Sequence, residues 1–88
     1  MSLTDQNSIE IKIEAFGAIE RQLPADLSLL CVAEIPVSTV LDQLLVLYPN
    51  VDSMLERCAC AIGEDIISRQ HVLTQDSTLV LLSPVAGG

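Results

Sequence analysis

Ile9-Glu10-Ile11-Lys12-Ile13-Glu14-Ala15-Phe16 alternates apolar and polar side chains with a period of two. Successive side chains of a strand point to opposite faces. Ile9, Ile11, Ile13 and Ala15 therefore share one face, and Glu10, Lys12, Glu14 and Phe16 share the other. Such a strand has one face to bury and one to leave open. Phe16 breaks the pattern, since by parity it belongs with the charged side chains. Gly17 then permits a turn. Leu23-Pro24-Ala25-Asp26 reads as a loop, and a second strand is expected within residues 27–35. The short spacing predicts a hairpin.

Downstream, the period changes. Val40, Leu44, Leu47 and Tyr48 fall at i, i+4, i+7 and i+8, flanked by Leu41 and Leu45. That spacing predicts one broad apolar stripe on a helix of about three turns. Thr39 is the expected N-cap, with Asp42 three residues on, and Pro49-Asn50 ends the helix. Residues 51–57 add a short turn. Residues 58–62 read as a third strand, Gly63-Glu64-Asp65 as a turn, Ile66-Ile67 as a short edge strand and residues 78–82 as the last strand. The predicted class is α+β, a mixed sheet of four to five strands with one main helix on one face. Residues 9–82 form the domain, and residues 1–8 are polar and expected to be disordered.

A single helix covers one sheet face and leaves the other open. In the last strand Leu79 and Leu81 face one way, Val80 and Leu82 the other. One pair must lie on the open face, where parity has already put Phe16. Phe16, Ile66, Val80 and Leu82 are the candidate apolar docking surface for a protein partner. The last strand runs directly into Ser83-Pro84-Val85-Ala86-Gly87-Gly88, with residues 83–88 expected to form a flexible tail. Two final glycines leave a backbone without side chains, able to thread a narrow channel and present its terminal carboxylate to another protein.

Composition narrows the alternatives. Eighty-eight residues make one small domain with little room to enclose an active site. The net charge of −8, from twelve acidic and four basic residues, argues against nucleic acid and favours a basic protein partner. The apolar runs are too short for a membrane span, and no secretion signal opens the chain, so a cytoplasmic protein is expected. Cys31, Cys58 and Cys60 are an odd number and read as buried structural thiols. A metal would need two more soft ligands, and His71 is the only histidine, so no metal site is expected. No Ser/His/Asp, paired-carboxylate or phosphate-loop arrangement is visible.

The strand–strand–helix–strand–strand–strand order and the C-terminal stretch resemble the ubiquitin-like β-grasp sulfur carriers, and among them the small subunits of molybdopterin synthase. The matching pieces are Phe16-Gly17-Ala18-Ile19, Thr39-Val40-Leu41-Asp42-Gln43-Leu44-Leu45, Leu73-Thr74 and, most specifically, Leu82-Ser83-Pro84-Val85-Ala86-Gly87-Gly88. Where the family has Gly-Asp-Glu before the last strand, this chain has Asp76-Ser77-Thr78. Aspartate tolerates left-handed backbone, so the turn is expected to survive. The resemblance implies that the Gly88 carboxylate is adenylated with ATP by an E1-like activating enzyme and converted to a thiocarboxylate with sulfur from a sulfurtransferase. Pro84, Val85, Ala86 and Gly87 would lie in the partner's channel. The protein would be a non-catalytic sulfur-donor subunit with no cofactor of its own, joined to a large synthase subunit in a heterotetramer. The same resemblance leaves open sulfur delivery for cysteine, thiamine or tRNA thiolation, and a ubiquitin-like protein modifier.

Overall fold

The computed structural model describes residues 8–84. Its elements run β1 (Ser8–Phe16), a 3-10 turn (Ala18–Gln22), β2 (Ser28–Val32), β3 (Ile35–Pro36), α1 (Val37–Leu47), a 3-10 turn (Pro49–Val51), α2 (Asp52–Glu56), β4 (Ala59–Ile62), β5 (Asp65–Ile67), β6 (Val72–Leu73) and β7 (Ser77–Leu82). Five strands form one sheet in the order β2-β1-β7-β4-β5, and β3 pairs with β6 in a separate ribbon. β1 and β7 are parallel at the centre, and every other pair is antiparallel. This is the mixed sheet, covered by a helix on one face, that the sequence pattern predicts.

Parity sets the core. Ile9, Ile11 and Ile13 from β1, Leu29 and Cys31 from β2, Cys60 from β4, and Leu79 and Leu81 from β7 are buried. They pack with Val37, Val40, Leu41 and Leu44 of α1, with Ile19 and Val51 from the 3-10 turns, and with Leu55 of α2. Full burial of one such aliphatic side chain contributes about 1.5–3 kcal/mol. Ser8, expected in the N-terminal segment, is part of the sheet, opposite Val32.

The helix begins earlier than expected. Its first residue is Val37 and its N-cap is Pro36, with no side-chain cap, so Thr39 lies inside it and exposed. The reason lies in the neighbouring backbone. The Val37 and Ser38 N–H groups donate to the carbonyls of His71 and Arg69, each at 2.9 Å. Two of the four otherwise unpaired donors of the first turn are thereby satisfied. The buried stripe is accordingly Val37, Val40, Leu41 and Leu44, while Leu47 is 56% exposed.

Arg69 also closes the far side. Its guanidinium donates to the carbonyls of Leu55 at 2.8 Å and Cys58 at 3.0 Å, capping the end of α2. Asp76 behaves differently from the expectation. Glu34 is the only non-glycine residue with positive φ among those described, so Asp76 takes no left-handed backbone. Its carboxylate instead accepts the Glu10 N–H at 2.8 Å, tying the turn to β1.

Candidate functional site

The register brings the four sequence-predicted docking residues onto one face. Phe16 lies beside Leu82, and Leu82 beside Ala59. In the next row, Glu14 lies beside Val80, Val80 beside Ala61, and Ala61 beside Ile66. All point away from α1, since their sequence neighbours Ile13, Ala15, Leu79, Leu81 and Cys60 face the core. Phe16 is 48%, Leu82 37% and Ile66 66% exposed, with Val80 half-buried between them. The result is an apolar strip across β1, β7, β4 and β5, with Glu14 at its margin. Glu10, Lys12 and Glu14 of β1 bound the strip on the β2 side, and an exposed apolar strip of this kind marks an interaction surface.

The strip ends where the chain leaves the sheet. β7 is the middle strand, so the residue after Leu82 emerges between β1 and β4. Ser83 is fastened there. Its N–H donates to the Phe16 carbonyl at 3.0 Å. Its hydroxyl donates to the same carbonyl at 3.0 Å and accepts the Ile19 N–H, also at 3.0 Å. Ser83 was expected in the flexible tail, but the end of β1 holds it in place.

Gly17 makes this grip possible. Its backbone has φ 88° and ψ −150°, a region essentially reserved for glycine. A Cβ at that position would overlap the Ser83 carbonyl oxygen. Gly17→Ala is therefore expected to destabilise the domain by about 2 kcal/mol or more, combining backbone strain with loss of the Ser83 contacts. Ser83→Ala is expected to cost about 1 kcal/mol, since the backbone bond remains. Urea unfolding of the two variants checks the order. A Gly17→Ala protein as stable as the original would remove the grip.

Pro84 is exposed and follows the grip directly. Val85, Ala86, Gly87 and Gly88, the remaining predicted tail residues, lie outside the described residues. Residues 84–88 follow Ser83, and five residues of extended chain span at most about 17 Å. The sequence reading missed the Gly17–Ser83 grip. Its signals were a glycine directly after a strand and a serine directly after the last one.

The thiols take no part in this surface. Cys31, Cys58 and Cys60 are free and buried on the core side. Burial pushes all three above the ordinary thiol value; Cys60 adds to the rise at Cys58, while the Arg69 charge opposes it at Cys58 and Cys60. They are protonated at neutral pH and poor nucleophiles. Among the described residues no group of three His, Cys, Asp or Glu could hold a metal ion. No helix among them is long and apolar enough to cross a membrane.

Comparison with known proteins converges on one fold. No curated protein sequence matches the chain. The structure is similar to SAMP1 from Haloferax volcanii, with a TM-score of 0.77 at 15% identity, covering 90% of this chain and 99% of that one. It is similar to a chain in the complex of subunits 1 and 2 of molybdopterin-converting factor from Helicobacter pylori, with a TM-score of 0.60 at 22% identity, covering 91% and 100%. It is also similar to Urm1 from Trypanosoma brucei, with a TM-score of 0.55 at 18% identity, covering the whole of both chains. At these identities the likeness is one of fold. The sequence model of the ThiS family matches residues 16–88, which takes in the end of β1, the grip on Ser83 and the whole C-terminal stretch. The chain belongs to the ThiS family of ubiquitin-like, β-grasp sulfur carriers.

Proposed function

We propose that this protein carries sulfur on its C-terminal glycine as the small subunit of a molybdopterin synthase. The observation that carries the reading is the apolar strip of Phe16, Leu82, Val80 and Ile66 ending at the root of the Gly-Gly stretch. A docking face continuous with the tail lets one partner hold the domain and receive its terminus together. The similar Helicobacter pylori chain comes from a complex of subunits 1 and 2 of molybdopterin-converting factor, which supports a partner subunit of that kind.

The chemistry follows from the carboxylate. At neutral pH it is a poor electrophile, because attack would have to expel oxide. Reaction with ATP on an E1-like activating enzyme forms the Gly88 acyl-adenylate and releases pyrophosphate. The terminal sulfur of a sulfurtransferase persulfide then displaces AMP to give an acyl disulfide, and a thiol reductant cleaves its S–S bond, itself becoming a disulfide and leaving Gly88 as a thiocarboxylate. This thiocarboxylate is the carried nucleophile, and the buried thiols are not needed for it. The domain binds no cofactor in this scheme, and ATP is consumed on the activating enzyme. A dithiolene needs two sulfurs, which suits an assembly of two large and two small subunits. The dependence on ATP and reduced sulfur favours a cytoplasmic setting for the reaction.

A second reading has its own support. SAMP1 gives a higher TM-score than the converting-factor subunit, and a related structure carries the name small archaeal modifier protein 1. As a modifier, Gly88 would form an isopeptide bond to a lysine. Sulfur delivery for cysteine, thiamine or tRNA thiolation uses the same terminus with another acceptor. Single turnover separates them. Thiocarboxylated protein is mixed with a purified large subunit and pterin precursor, and both the dithiolene product and the mass of this chain are followed. The synthase reading expects product together with return of a plain Gly88 carboxylate. Lysine adducts without dithiolene would favour the modifier.

A further inference from the structure

The opposite margin of the molecule carries a second surface that the carrier chemistry does not use. Among the described residues β2 is an edge strand, paired only with β1 in the sheet. The Ile13 N–H bonds the Leu27 carbonyl at 2.9 Å and sets the alternation along the ladder. Leu27, Leu29 and Cys31 turn their backbone groups toward β1, so Ser28, Leu30 and Val32 turn theirs outward. Leu30 is 74% and Val32 65% exposed. Protein edges are normally blunted by charge, proline or a bulge. Ser-Leu-Leu-Cys-Val has no charge and no proline, and its register with β1 is unbroken.

Beside this edge, α1 contributes Val46, 81% exposed, and Leu47, 56% exposed. Together with Ser28, Leu29, Leu30 and Gln43 they line a groove of about 380 Å³. A strand added to β2 would alternate its side chains between Leu30 and Val32 on one face and Val46 and Leu47 on the other. Both sets are apolar, so the centre of the added strand must be apolar on both faces.

Charge selects its ends. Asp26 and Glu34 flank β2, Glu10 lies across from Leu30, and Asp42 precedes Gln43 on α1. Lys12, across from Ser28, is the one cation on β1. A second copy is disfavoured. Antiparallel self-pairing centred on Leu30 would set Asp26 against the copy's Glu34, in two molecules each at −8. We propose that the outward edge of β2, with the Val46–Leu47 flank of α1, docks an extended segment of a partner protein with an apolar centre and basic ends, by strand addition.

The test uses the full chain and a synthetic peptide, Lys-Lys-Val-Ile-Val-Lys-Lys, at low ionic strength, followed by amide NMR and hydrogen exchange. The amides of Ser28, Leu30 and Val32 should shift and exchange more slowly. Replacing the four lysines of the peptide by glutamates should weaken binding by roughly tenfold or more. N-methylation of the central peptide amides should abolish it, a control that leaves the protein untouched. Leu30→Pro should do the same while retaining the β1–β2 ladder, because the lost N–H points outward. No shift at millimolar peptide, equal binding of the acidic peptide, or shifts confined to the Phe16–Leu82 face would overturn the proposal. So would concentration-dependent protection of the Leu30 amide without peptide, which would identify a second copy as the occupant.

Discussion

Deleting Gly88, or adding one residue after it, is expected to abolish sulfur loading and leave the unfolding transition of the domain unchanged. The two halves have separate causes. The buried core is built from side chains between Ile9 and Leu81, and the grip on the chain ends at Ser83, so no contact described in the fold depends on Gly88. Loading depends on where the carboxylate sits relative to the α-phosphate of ATP in the activating enzyme. One residue more or less moves it by about 3.5 Å along an extended chain. A misplacement of about 1 Å can already cost a hundredfold in rate. Because Ser83 fixes the origin of the arm, the displacement is not absorbed by sliding the strand. An added residue would also bring a side chain or further backbone into the channel proposed to receive the two glycines. The measurement is intact mass after incubation with activating enzyme, ATP and a sulfur source, looking for one sulfur in place of one oxygen. Equal loading of the extended protein would sink the carrier reading. Loading at a cysteine would do so as well, and the buried, protonated state of Cys31, Cys58 and Cys60 argues against it.

Much of this site was legible because strand parity is a local property. Once Ile9, Ile11 and Ile13 are assigned to the core, Phe16 must face the other way, and the same logic assigns Val80 and Leu82 once Leu79 and Leu81 are buried. The unreadable parts all depend on neighbours distant in sequence. Ser83 is fastened by Phe16 and Ile19, 67 and 64 residues earlier, because β1 and β7 run parallel at the sheet centre. No local pattern announces that adjacency. The helix starts at Val37 rather than after Thr39 because the backbone of Arg69 and His71 supplies the missing acceptors. The two-residue strands Ile35–Pro36 and Val72–Leu73 are too short to show any period. Leu47 followed the helical spacing but lies beyond the cover of the sheet, beside the open edge of β2.

The docking strip yields the second large effect. Phe16→Asp and Leu82→Asp are each expected to weaken binding to the partner subunit by about 2–4 kcal/mol, the scale of an interface hot spot. The cost has two parts. Apolar area that becomes buried in the complex is lost, and a carboxylate must be desolvated without a partner. Exposure limits the damage to the free domain. With Phe16 48% and Leu82 37% exposed, each side chain already meets water in the monomer, and the expected loss of folding stability is about 1 kcal/mol or less. Val80→Asp is the contrasting variant. Val80 is half-buried between Glu14 and Ala61, so a carboxylate there sits beside an existing one and in a tighter site. It is expected to cost stability as well as binding. Leu30→Asp, on the same open face but at the β2 edge, is expected to leave this partner's affinity unchanged, because Glu10, Lys12 and Glu14 separate it from the strip. Calorimetric titration against the purified large subunit gives the affinities, and thermal unfolding of each free variant gives the stabilities. If Phe16→Asp and Leu82→Asp unfold the free domain, their side chains are structural and the strip is not a docking surface. If Leu30→Asp weakens binding as much as Leu82→Asp, the partner covers the whole face, and the tail leaves the sheet beneath it rather than at its margin.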